Sequence, residues 1–387
     1  MSGASGLRVF YGARLFDGVA LREDCALVVE GGAVRGIAAV AERPRGGAQH
    51  DLGGGVLAPG FVDWQVNGGG GVLFNATPTP EAIGAIAAAH RREGTTAILP
   101  TVITDAPEVL AAALEAAREA AKSVPGAFGV HVEGPYIDAR RKGVHRPEFI
   151  RAMREQDVEQ LIAARAGAMV VTLAPAAVGV DLIAGLAAAG VIVSLGHAEA
   201  SAEEAAAAFA SGASAVTHLF NAMSQLSPRA PGLVGAALAD RRVVCGLIAD
   251  GHHVDDVAMR VALNAKGAGG IALVSDAMPP AAGGPPVFAL QGRRVTRTGT
   301  RLTAEDGALA GAAITMLDSV RYVVHKLGQP LADALRMATS TPARLLRLDR
   351  RIGRLAPGLR ADLVHLSDDL GLAGVWVGGR REHEAER

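Results

Sequence analysis

The sequence predicts an α/β protein, a (β/α)8 TIM-like barrel with a small discontinuous β-sandwich domain formed by both termini. Three observations predict it. Eight short apolar runs recur, seven of them ending in a polar, ligand-capable residue, and a Gly/Pro-rich turn or helical stretch follows each one. Two of the run ends carry histidine and three others carry Glu133, Asp250 and Asp276. Strand–turn–strand patterns of a different style occupy both ends of the chain.

The eight runs span 61–65, 97–101, 129–133, 170–174, 192–197, 215–218, 246–250 and 272–276. Parallel strands covered on both faces read as near-continuous apolar stretches. In a closed barrel the functional side chains collect at their C-terminal ends. Helices are expected between the strands. Thr79-Pro80-Glu81 supplies an N-cap, a Pro at the first helical position and an early acid. Ser201-Ala202-Glu203-Glu204 opens another helix, which Gly212 stops.

Before about Pro59 the style changes. Residues 26–30, the pair Gly31-Gly32 and residues 33–37 read as strand, tight turn and strand. Residues 362–366 and 374–377 return to that style. The expected domains are therefore 1–58 (first part of the small β domain), 59–350 (the metal-dependent barrel) and 351–387 (the second part). A β insertion is expected near 285–310, where the sequence alternates and is rich in Gly, Arg and Thr.

At 387 residues the chain is long enough for a barrel and a smaller unit. With 50% hydrophobic and 20% charged residues it reads as globular. A net charge of -1 provides no electrostatic footprint for nucleic acid or an anionic membrane. Cys25 and Cys245 suggest no disulfide framework. The first six residues lack a signal-peptide pattern. The expected location is cytoplasmic, with no membrane span.

His197 and His218 end the fifth and sixth runs, and Glu133 ends the third. Three strand ends that point at one barrel mouth can converge on one ion. Two neutral imidazoles and a carboxylate make a catalytic zinc shell with an open position for water. His131 shares the strand parity of Glu133 and is read as a packed group supporting the ligands. A lone strand-end histidine is more often a satisfied polar group, but two with a glutamate at matching ends are not.

Asp276 ends the eighth run, and a carboxylate beside activated water can take a proton and later hand it to a leaving group. Asp250 is read as structural, organising the loop that presents His253. His145, in the loop after the third run, can polarise a substrate carbonyl. Arg229 sits in a Pro/Gly-shaped loop, and Arg with His can bind phosphate. Arg140, Arg141 and Lys142 are read as a solvent-exposed basic run. The glycines at 68–71 lack the Gly-Lys-Ser/Thr ending of a phosphate loop.

With the strand ends assigned, the chain resembles the N-acetylglucosamine-6-phosphate deacetylases of the amidohydrolase superfamily along nearly its whole length. The resemblance is carried by Pro59-Gly60-Phe61-Val62-Asp63, His131-Val132-Glu133-Gly134-Pro135, Gly196-His197, Thr217-His218-Leu219-Phe220-Asn221-Ala222-Met223, Asp250-Gly251-His252-His253 and Ser275-Asp276. It implies Glu133, His197 and His218 as metal ligands and Asp276 as general acid/base. It implies His145 on the acetamido carbonyl, with Asn221, Ala222, His253, Arg229 and Gln65 binding substrate. It further implies a homodimer in which Arg229 reaches the neighbouring active site.

Many amidohydrolases carry His-x-His at the first strand end and bind two metals. Here the stretch is Gln65-Val66-Asn67, and amides are poor replacements for imidazole. One divalent ion per subunit is expected, zinc first, with iron(II), cobalt or manganese compatible with the same shell. The implied reaction is hydrolysis of N-acetylglucosamine 6-phosphate to glucosamine 6-phosphate and acetate. N-acetylgalactosamine 6-phosphate, another acetamido sugar, and an amino-sugar-phosphate sensor remain the alternatives.

Overall fold

The computed structural model describes residues 6–384, so the reading of the first residues falls almost wholly outside the described ones. Eight parallel strands follow one another around the barrel in sequence order. They are β1 (Phe61–Val66), β2 (Thr95–Ile103), β3 (Gly129–Glu133) and β4 (Ala168–Leu173). β5 (Ile192–Leu195), β6 (Ala215–Val216), β7 (Val244–Leu247) and β8 (Ile271–Leu273) complete the set.

Every residue of all eight strands is buried, which is why the runs carry no polar alternation until their ends. Neighbouring strands are paired by ladders, whereas the seam between β1 and β8 is bridged by Val66 and Ala277. The helices start where side-chain acceptors meet free N–H groups. Thr79 Oγ1 accepts from Ala82 N at 3.2 Å to open Pro80–Arg91. Ser201 and Glu204 form a reciprocal capping box at Ala202–Ala210.

Both chain ends build the smaller domain. The six-stranded sheet runs Leu21–Arg22, Arg14–Phe16, Val56–Pro59, Leu363–Leu366, Leu372–Val377 and Arg380–Glu384. Its central pairing, Leu363 opposite Pro59 through Leu366 opposite Val56, is antiparallel and joins the two termini. A second sheet orders Ala33–Ala39, Cys25–Glu30, Arg8–Tyr11 and Ala48–Asp51. Phe10, Leu15, Leu27, Val29, Leu57, Leu363 and Trp376 form the core of this domain. Gly31 (φ 61°) and Gly32 (φ 83°) make the turn between Cys25–Glu30 and Ala33–Ala39, where both positions need left-handed backbone. Cys25 and Cys245 are free thiols.

After β8 the chain forms a four-stranded antiparallel sheet: Val287–Leu290, Arg293–Thr298, Arg301–Ala304 and Leu309–Ala312. Its apolar face packs on Leu73, Ile103 and Met278 beside the barrel mouth. Gln291 Nε2 donates to Thr104 O at 2.7 Å, and Arg293 donates to Val144 O. The sheet is thereby fastened to the loops after β2 and β3. Among the described residues no helix is long and apolar enough to cross a membrane.

Candidate active site

The residues that matter sit at the strand ends or just beyond them, where the chain leaves regular geometry. His197, His218 and Asp276 adopt φ of 47°, 30° and 47°. Such left-handed backbone is uncommon for residues with a Cβ, and surrounding structure must hold it. Gly196 helps to hold His197. A Cβ at Gly196 would stand 2.8 Å from Thr172 Cγ2, so only glycine lets the chain turn this close to β4.

Glu133, His197 and His218 converge, with one donor atom from each lying within 4.8 Å of the others. His197 Nε2 and His218 Nε2 are 3.1 Å apart, and Glu133 Oε1 lies 3.2 Å and 3.0 Å from them. Ligands at about 2.0–2.2 Å in a tetrahedral shell would be separated by roughly 3.3 Å, so the triangle has the right size. His197 Nδ1 is 2.8 Å from Arg141 O. Since a carbonyl can only accept, Nδ1 carries the proton and Nε2 is free to ligate. The donor set therefore fits one divalent metal. Burial alone would raise the Glu133 pKa, but the two imidazoles against its Oε1 hold it well below the usual carboxylate range.

Asp276 faces this triad. Asn67 Nδ2 donates to its Oδ1 at 2.7 Å and Gln65 Nε2 at 3.2 Å. Gln65 Nε2 also lies 3.3 Å from both Glu133 oxygens. Carboxylates only accept, so both amides turn their nitrogens toward them, and among the described residues neither amide oxygen has a partner. The two amides at the end of β1 thus hold the two carboxylates. Burial raises Asp276 to about 7, reinforced by the charge on Glu133 and opposed by His218, His253 and the Asn67 bond.

The mouth encloses a cavity of about 370 Å³. Asn67, Glu133, His145, His197, His218, Asn221, Ala222, His253 and Asp276 all line it. His145 Nδ1 lies 2.7 Å from Thr104 Oγ1, and its ring packs on His197 with centroids 4.4 Å apart. Burial, then the neighbouring His197, hold His145 well below the usual imidazole value, so it is neutral. His253 Nδ1 meets Asp250 Oδ2 at 2.7 Å, while Asp250 Oδ1 accepts from the backbone N–H groups of His252 and His253. His252 turns away, to Thr300 Oγ1 at 3.0 Å. Asn221 N donates to His218 O and Asn221 Nδ2 to His218 O and Leu219 O, so the Asn221 amides shape the loop.

Gln65 does not line the cavity. It is fully buried and binds Glu133 and Asp276, because its position on β1 points its amide into the barrel. Arg140 is exposed as read, whereas Arg141 is half-buried, and both border the cavity. Arg141 pairs with Glu199 while its carbonyl orients His197. A backbone carbonyl leaves no mark in a sequence, so only the fold could reveal that role. His131 stands apart from the triad, with Nδ1 near Thr101 and Nε2 near Thr172, and burial lowers its pKa to about 4. Arg229 is exposed and outside the cavity, on a loop fixed by Ser227 and Ala230. Thr104 carried no sequence signal beyond lying just past a strand end, and Asn67 was legible only as a missing imidazole.

A profile of the amidohydrolase family matches residues 56–381. The chain belongs to the amidohydrolase family. It is 40% identical to an N-acetylgalactosamine-6-phosphate deacetylase of Shewanella sp. (strain ANA-3), covering 97% of this chain and 96% of that protein. It is 35% identical to the N-acetylglucosamine-6-phosphate deacetylase of Haemophilus influenzae, covering 92% and 94%. Among solved amidohydrolases, the N-acetylglucosamine-6-phosphate deacetylase from Pasteurella multocida superposes with a TM-score of 0.93 at 35% identity, covering 97% and 99%.

Proposed function

We propose that this amidohydrolase removes the acetyl group of N-acetylglucosamine 6-phosphate, giving glucosamine 6-phosphate and acetate. The observation that carries the reading is the placement of Asp276, a buried carboxylate raised to about 7, in one cavity with Glu133, His197, His218 and neutral His145. The names of the relatives support the sugar-phosphate substrate.

Glu133, His197 and His218 would hold one divalent ion, zinc in this proposal. When bound, the ion supplies a Lewis acid that makes water nucleophilic near neutral pH. Asp276 accepts the proton released as water attacks the amide carbonyl. The same carboxyl then delivers that proton to the departing nitrogen, so one residue serves as base and acid in turn. Gln65 and Asn67 keep it aimed through their N–H donors. His145 hydrogen-bonds the carbonyl oxygen and stabilises charge that develops there. His253, anchored by Asp250, binds the phosphate at the far end.

Arg229 would complete the phosphate site of a neighbouring subunit in a homodimer. Its exposure on a loop outside its own cavity supports that assignment. A cytoplasmic location is part of the same proposal. The galacto epimer is the second reading, favoured by the 40% identity to the Shewanella protein against 35% to the Haemophilus one. Acetate release from both 6-phosphates, in parallel with unphosphorylated N-acetylglucosamine, separates them. Higher kcat/KM on the galacto sugar would replace the first reading, and a sugar phosphate left intact would indicate a sensor.

A further inference from the structure

We infer that Thr104 is a positioning residue for His145, and that its hydroxyl fixes the tautomer in which Nε2 carries the proton and faces the cavity. The inference rests on the carbonyl-binding role proposed above for His145.

Hydrogen counting carries the argument. Thr104 is 1% exposed and His145 2% exposed, and Thr104 Oγ1 meets His145 Nδ1 at 2.7 Å. Among the described residues, Oγ1 has no other hydrogen-bond partner. If Nδ1 carried the ring proton, the threonine hydrogen would be buried without an acceptor, which is penalised in a dry site. If Nδ1 is bare, the hydroxyl donates to it and the threonine hydrogen has its acceptor. The single N–H of a neutral imidazole then lies on Nε2, which is the form that can donate to a carbonyl oxygen.

Independent features build this contact. Gly134 has φ +79°, and a Cβ there would stand 2.1 Å from Thr104 Oγ1 and 3.5 Å from His145 Nδ1. The residue after Glu133 is thus without a side chain where the hydroxyl must reach the ring. The backbone on both sides is tied down. Asn75 pairs with Ile103 through Nδ2 to O at 3.0 Å and Oδ1 from N at 2.9 Å. Gln291 holds Thr104 O and Arg293 holds Val144 O, so the insertion braces both partners of the bond. The residue just past strand β2 thereby supports the site through His145.

The test uses zinc-loaded, 15N-histidine-labelled protein as wild type, Thr104→Val and Thr104→Ser, with His145 assigned by comparison with His145→Gln. Long-range 1H–15N correlation spectra report which ring nitrogen is protonated, and steady-state kinetics report kcat and KM. The wild type is expected to show the proton on Nε2. Thr104→Val should shift His145 toward the other tautomer and lower kcat roughly 10- to 100-fold, the usual cost of losing an orienting partner, with little change in KM. Thr104→Ser should keep the tautomer and most of kcat. A proton on Nδ1 in the wild type overturns the inference, and that spectrum needs no variant to fold. So does a Thr104→Val enzyme with unchanged tautomer and kcat, or a Thr104→Ser enzyme as impaired as the valine. If wild type releases no acetate, the deacetylase reading fails while the spectrum still decides the tautomer.

Discussion

Asn67 and Asp276 meet across the barrel seam, Nδ2 to Oδ1 at 2.7 Å. The backbone there is joined by the bridge between Val66 and Ala277 and by Gly68 N donating to Ala277 O at 2.8 Å. The side-chain pair extends that closure into the active site. Both amide donors, Asn67 and Gln65, fall on Oδ1, so among the described residues Oδ2 is left without a protein partner. In one arrangement the structure closes the barrel and aims its acid–base group.

Asp276→Asn should therefore keep the fold and the bound metal while losing turnover. Removal of a general base costs typically 10²- to 10⁴-fold, so kcat should fall by at least about 100-fold. Metal analysis and kcat on the same preparation check this. A variant with near-normal kcat would remove Asp276 from the mechanism.

The pH profile follows from the same residue. Burial and Glu133 raise Asp276 from 3.8 to about 7. Its ionised form is the base, so activity should rise with pH through its pKa and be lost below it. A cation on the triad opposes the shift. The acid limb of kcat/KM is then expected between the ordinary carboxylate value and about 7. A profile flat down to pH 4 would contradict it.

Much of this was legible in the sequence, for reasons the structure makes clear. Strands buried on both faces left eight apolar runs, and their ends carried Glu133, His197, His218 and Asp276 in plain view. Roles made by the backbone left nothing to read, as with Arg141 O behind His197. Gln65 and Asn67 showed what was missing at β1, namely imidazoles, but not that their N–H groups serve the two carboxylates. That depends on side-chain direction and on partners about 70 and 210 positions away in the chain.

Gly246→Ala tests the packing beneath the triad. A Cβ there would lie 2.8 Å from Trp64 Cζ2 and 3.2 Å from His218 N. Trp64 is fully buried and cannot swing aside. Overpacking of this kind costs about 1–3 kcal/mol, and metal affinity should fall along with stability because His218 is displaced. Denaturant unfolding and metal titration measure both, and an unaltered pair would show that the site is looser than described.

Arg229→Ala should raise KM for the phosphorylated sugar with a smaller effect on kcat, because the residue binds a group remote from the reacting bond. Mixing Arg229→Ala with Asp276→Asn subunits extends the test. Mixed dimers recover a competent site only if the arginine acts across the interface. Unchanged KM in the single variant would exclude Arg229 from phosphate binding.

The most direct measurement is acetate release by metal-analysed protein given N-acetylglucosamine 6-phosphate, with N-acetylgalactosamine 6-phosphate and unphosphorylated N-acetylglucosamine alongside. The account predicts about one metal per chain, rapid release from the 6-phospho gluco sugar, and loss of that release on chelation with recovery when zinc is restored. Metal-replete protein that releases no acetate from either 6-phosphate would contradict it.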